Sequence, residues 1–106
     1  MKSYRFLLDA TSEYEDAIEF YENAQTGLGE AFIHEITRVI DLLMELPNMG
    51  SPVARTPPKL NVRRRIVRRF GIELDYLVSG DVLIVLTIFH GKRHPDHWRD
   101  RLEKLR

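Results

Sequence analysis

Hydrophobic and polar positions follow three different rhythms along this chain, and the changes of rhythm divide it into elements. Tyr4 to Leu8 is a short apolar run that predicts a first strand. Tyr14, Ala17, Ile18, Tyr21 and Ala24 then recur at helical spacing, with Glu13, Glu15, Asp16, Glu19 and Glu22 on the opposite side. Ser12 to Glu15 has the form of a capping box, which predicts the start of this helix. Gly27 and Gly29 interrupt it. Leu28, Phe32, Ile36, Val39, Leu43 and Leu46 form the stripe of a second helix, ended by Pro47, Gly50 and Pro52. A connection this short predicts an antiparallel helix hairpin whose second stripe is the main cover of the core.

The period changes after the hairpin. Residues 47–61, with Pro47, Pro52, Pro57 and Pro58, predict one long loop, a candidate for motion or partner contact. From Val62 the chain alternates like a strand: Val62, Ile66 and Phe70 share one face, Arg63, Arg65 and Arg69 the other. Ile72, Leu74, Tyr76 and Val78 alternate with Glu73 and Asp75, a half-buried strand. Ser79-Gly80-Asp81 is a hairpin turn. It leads into Val82–Phe89, an almost unbroken apolar run that predicts a strand buried on both faces. Leu102 and Leu105 continue a stripe begun by Trp98, which predicts a short C-terminal helix. The order strand, helix hairpin, three-stranded antiparallel meander, short helix predicts an α+β fold with helices on one face of a sheet.

The totals narrow the class. A chain of 106 residues, 43% hydrophobic and 30% charged, fits a single globular domain over residues 1–106. No apolar run approaches the length that crosses a bilayer, and the N-terminus turns acidic after three apolar residues, unlike a signal peptide. With no cysteine, disulfide and thiolate chemistry are excluded, and a reducing cytoplasm is compatible. The zero net charge hides a division. Residues 1–54 carry three Lys/Arg against ten Asp/Glu, whereas residues 55–106 carry thirteen against six. Such a division either neutralises itself across the fold or attracts an anionic partner to one face.

Candidate chemistry gathers where the apolar strand ends, at His90-Gly91-Lys92-Arg93-His94-Pro95. A dry strand that delivers cations and imidazoles to the surface is suited to contact with another macromolecule. His90, His94 and His97 lack the further well-spaced ligands of a metal site, and Arg93 and Arg99 would repel a cation, so neither metal nor cofactor is expected. The arginines at 63–65 and 68–69 read either as a binding patch or as scaffold. In the scaffold reading Arg65 and Arg69 pair with Glu73 and Asp75, while Arg64 and Arg68 sit at the edge of the apolar face or in a buried pair. No exposed aromatics interleave the basic run, so sequence-specific nucleic-acid binding is not expected.

Taken together, AIEFYENAQTGLGEAFIHEI, LPNMGSPV and RRIVRRFGIELDYLVSGDVLIVLTIFHGKRHPDHWRDR resemble the RelE/ParE superfamily of bacterial toxins, and within it the ParE or plasmid-stabilisation branch more than the RelE branch. The ordered set is Arg64, Arg65, Phe70, Tyr76, Gly80-Asp81, His90, Arg93, Pro95 and Trp98. The resemblance implies a cytoplasmic toxin that inhibits DNA gyrase by binding, is neutralised by a cognate antitoxin, and is compatible with a homodimer. Arg93, His94, Trp98, Arg99, Arg64 and Arg68 are then the candidate partner-binding residues. The RelE branch instead cleaves mRNA on the ribosome, and it usually carries an arginine three residues before the tyrosine matched by Tyr76. Here that position is Glu73, and Trp98 or Arg99 falls where that branch has a late tyrosine. Were the chain a nuclease, Arg93, His94 and His97 would have to supply the chemistry. A third alternative is a non-toxic member that only binds an antitoxin.

Overall fold

The computed structural model describes residues 3–90. Five strands form one sheet: β1 (Ser3–Phe6), β2 (Ser51–Pro52), β3 (Arg63–Val67), β4 (Ile72–Ser79) and β5 (Val82–His90), in the spatial order β1-β5-β4-β3-β2. β1 runs parallel to β5, and every other neighbouring pair is antiparallel. Helices α1 (Leu8–Ala24) and α2 (Leu28–Glu45) form the hairpin that separates β1 from the meander. The α+β architecture is therefore as predicted. The expected C-terminal helix falls on residues outside the described ones.

Two apolar layers hold the sheet. On the helix side, Phe32, Ile36, Val39, Ile40 and Leu43 of α2 pack with Ile72, Leu74 and Tyr76 of β4 and Leu83, Val85 and Ile88 of β5. On the other face Leu7, Val62, Leu77, Ile84 and Leu86 form a second cluster. β5 alternates between the two layers, and residues 83–89 are all buried, which is why it reads as a continuous apolar run. Gly80, at φ +61, makes the two-residue turn that joins Ser79 to its partner Val82.

Four expectations are corrected. The first helix starts at Leu8, not at Ser12, and has no side-chain cap. Leu7 donates its N–H to the Val85 carbonyl, and its own carbonyl accepts from the Thr11 N–H, so strand passes straight into helix with Ala10 fully buried. Tertiary anchoring outweighs the capping sequence. The 47–61 stretch is not one structureless loop. It contains β2 and a 3-10 turn at Pro58–Leu60, and it lays Val53 and Leu60 against the second cluster. Ile66 is no core residue: it is 56% exposed, and Val67 is buried in its place. Leu46, assigned to the second helix's stripe, is half exposed and caps α2 from outside its last turn.

The hairpin turn is closed by a device that the sequence hides. The Glu22 carboxylate accepts N–H groups from Gly27 and Gly29, satisfying donors at the start of α2 from the end of α1. A Cβ on Gly29 would lie 2.9 Å from the Ile18 carbonyl, so glycine lets the helices touch there.

Candidate partner-binding surface

The arginine run divides into three roles once β3 is paired. Its register with β4 sets Arg64 opposite Asp75 and Ile66 opposite Glu73, so even positions of β3 face odd positions of β4. Arg64, and not Arg65 or Arg69, therefore meets the carboxylates. Its Nε and Nη2 donate to the two Asp75 oxygens at 2.7 and 3.0 Å, its Nη1 lies 3.6 Å from Glu73, and its guanidinium stands 5.2 Å from the Phe89 ring centre. Asp75 is completely buried. The hydrogen bonds to Asp75 hold the Arg64 pKa above its ordinary value, against the opposing effect of burial. The alternative that put Arg64 in a buried pair is the one realised.

Arg63 has a second role. Its Nη1 donates to the carbonyls of Asn48 and Gly50, at 3.1 and 2.6 Å, fastening the turn after α2. Tyr76 works on the same turn, donating its hydroxyl to the Pro47 carbonyl at 2.7 Å and accepting the Gly50 N–H at 3.0 Å. Burial raises the Tyr76 pKa above its ordinary value. A Cβ on Gly50 would come within 2.7 Å of that hydroxyl, so the contact needs glycine. The tyrosine of the family pattern is thus a structural clamp here.

Arg65, Arg68 and Arg69 form the third group. Among the described residues none has a carboxylate within 4 Å. β3 ends at Val67 and passes into a 3-10 turn at Arg68–Phe70, so strand alternation stops before Arg69 reaches the sheet carboxylates. Arg69 instead lies over the Phe70 ring, 5.1 Å from its centre. These three line a groove of about 590 Å³ between α2 and the outer edge of the sheet. Its α2 wall carries Glu35, Arg38, Val39 and Leu42. Glu35 accepts from the Arg38 Nε at 2.6 Å, and that hydrogen bond holds its pKa below the ordinary value. Nothing in the sequence pointed to this groove, because it exists only where β2 stops short of covering β3.

Of the candidates read from sequence, Arg64 and Arg68 therefore share one end of the sheet. Arg64 has its charge matched internally, whereas Arg68 is exposed. Arg93, His94, His97, Trp98 and Arg99 lie outside the described residues. Among the described residues there is no cluster of metal-ligating side chains, and no helix is long and apolar enough to cross a membrane.

A family model described as ParE toxin of type II toxin-antitoxin system, parDE, matches residues 4–95. Among solved structures, a chain of the chromosomal ParDE TA system from P. aeruginosa superposes with a TM-score of 0.59 at 15% identity. The match covers 85% of this chain and 96% of that one, and it is a likeness of fold. No curated protein sequence matches the chain.

Proposed function

Because the chain belongs to the ParE toxin family of type II toxin–antitoxin systems, we propose that it acts by binding: it inhibits DNA gyrase in the cytoplasm until a cognate antitoxin silences it. The observation that carries binding over cleavage is Glu73. Breaking a phosphodiester needs cations beside the phosphorus as negative charge builds. At Glu73 this chain has a carboxylate, 3.6 Å from Arg64 and on the same side of the sheet as buried Asp75. Arg64, the cation nearest that position among the described residues, is already matched by two anions, which is poor ground for stabilising a third.

The effector surface in this reading combines the strand tip with Arg93, His94, Trp98 and Arg99 beyond it, and with Arg68 and the outer part of Arg64 alongside. The antitoxin is a DNA-binding protein whose C-terminal tail docks as a helix and a strand and carries acidic residues. A supercoiling assay with the purified protein and gyrases from several bacteria tests the proposal, and loss of supercoiling in a dose-dependent way is the expected result. No inhibition of any gyrase would overturn it. So would primer-extension mapping of RNA ends that disappear on substitution of His94 or His97.

A further inference from the structure

Five arginines fall within seven residues, from Arg63 to Arg69. Like charges so close together repel unless each is matched. Arg63 is matched by backbone carbonyls and Arg64 by Asp75. Arg65, Arg68 and Arg69 have no carboxylate within 4 Å among the described residues. All three line the groove of about 590 Å³ between α2 and the outer part of the sheet. Val67 is buried in the helix-side cluster, so Arg65, two residues back on β3, projects to the same side. Arg68 and Arg69 follow in the 3-10 turn. The Glu35 pKa is held down chiefly by the Arg38 hydrogen bond and also by the charge of Arg69, so Arg69 acts across the groove on the α2 wall. Arg38 itself is engaged by Glu35. Beside these charges, Val39, Leu42 and Met49 give the groove an apolar side.

We propose that this groove binds a nucleoside di- or triphosphate, with the phosphate chain against Arg65, Arg68 and Arg69 and the base and ribose along Val39, Leu42 and Met49. Three neighbouring guanidiniums are best matched by several anionic oxygens within one small volume. A polyphosphate chain supplies them, and each guanidinium can bind it through paired N–H donors. A single carboxylate would match only one of the three. The volume lies within the range of about 300–1,000 Å³ typical of small-molecule sites, which join an apolar lining to a few polar groups. A nucleic-acid strand fits less well. It follows a continuous positive track with stacking aromatics, whereas this groove has Glu35 in one wall and no aromatic side chain in its lining. The site is argued from β3, its turn and α2, and it stands apart from the proposed function.

Isothermal titration of the purified full chain with ATP, and separately with GTP, at low salt tests the proposal. At least one of the two should bind saturably, at one site per chain. Binding should weaken at least tenfold in Arg65→Gln/Arg68→Gln. It should weaken as much in Arg68→Gln/Arg69→Gln, which changes only exposed side chains and should keep the wild-type urea midpoint. Inorganic triphosphate should bind at least tenfold more weakly than the nucleotide, and the free nucleoside should not bind measurably. The methyl resonances of Val39, Leu42 and Met49 should shift along the same saturation curve. The inference fails if neither nucleotide binds, if the folded arginine variants bind as the wild type does, or if those methyl resonances stay in place. Inorganic triphosphate binding as tightly as the nucleotide would reduce the groove to a patch of charge and overturn the proposal. So would an oligothymidylate that shows the arginine dependence when neither nucleotide binds. Neither gyrase nor antitoxin is present in this titration, so the supercoiling assay decides the gyrase reading separately.

Discussion

Replacing Arg64 by methionine tests the claim that this cation belongs to the fold. The side chain of Asp75 has no exposure to solvent, whereas that of Arg64 is 23% exposed. Removing the guanidinium strands a carboxylate that has lost two hydrogen bonds, with the Glu73 carboxylate as its neighbour across the missing cation. Breaking a buried pair in this direction costs about 3–5 kcal/mol, against a total stability of about 5–15 kcal/mol for a domain. The opposite single change, Asp75→Leu, leaves a cation that reaches water and still has Glu73, so about 1–3 kcal/mol is expected. Arg64→Met should therefore be the worse of the two, and the combined variant should recover part of its loss. Urea unfolding followed by circular dichroism reads this directly: with a slope of about 1–3 kcal/mol/M, the Arg64→Met midpoint falls by about 1 M or more. A loss below about 1 kcal/mol at unchanged slope would place the pair among ordinary surface ion pairs and refute the reasoning.

Tyr76→Phe leaves the Gly50 N–H and the Pro47 carbonyl without their partner, and should lower stability by about 1–3 kcal/mol in the same assay. Tyr76, Tyr14 and Tyr21 all hold their protons more tightly when folded, chiefly through burial. That stability is complete below the unfolded value near pH 10 and falls as pH rises through the folded one. The alkaline decline of the urea midpoint should thus be shallower in Tyr76→Phe, and an unchanged slope would contradict the assignment. Leu86→Asp puts a charge at a fully buried position and should give a chain without a cooperative unfolding transition; a folded variant would show that the second cluster admits water. Arg93→Glu should abolish gyrase inhibition at an unchanged urea midpoint, and retained inhibition would move the effector surface elsewhere. Between about 0.1 and 1 M salt, where the Debye length falls from about 10 to about 3 Å, the acidic antitoxin tail of the proposed function should lose affinity while wild-type stability changes little; parallel loss of both would show that exposed pairs hold the fold.

How far each feature could be read from the sequence depends on how local it is. The α2 stripe and the apolar run of β5 are set by periodicity, and Phe32, Ile36, Val39 and Leu43 are buried as their spacing requires. The Gly80-Asp81 turn is equally local. Pairing register is not. Whether Glu73 and Asp75 meet odd or even positions of β3 depends on the length of the connection, and the 3-10 turn at Arg68–Phe70 takes up residues that a uniform strand would have used. One residue of register exchanges Arg65 for Arg64 as the partner of Asp75. The helix start shifted for a similar reason: Ala10 and Leu7 are drawn into the core, an interaction no capping pattern within residues 12–15 reports. The groove was hidden most deeply, since it is defined by where β2 ends.

The charge division of the chain takes on a spatial meaning from these assignments. A surplus of cations in one half of a sequence is compatible with neutralisation inside the fold, and Arg64 and Arg63 do behave that way, one against Asp75 and the other on backbone carbonyls. Among the described residues, Arg65, Arg68 and Arg69 have no carboxylate within 4 Å, and they succeed one another at the end of β3 and in the 3-10 turn after it, across a groove from a helix whose own Arg38 is held by Glu35. The register that sets Arg64 against Asp75 is thus also what leaves Arg65 apart from the sheet carboxylates.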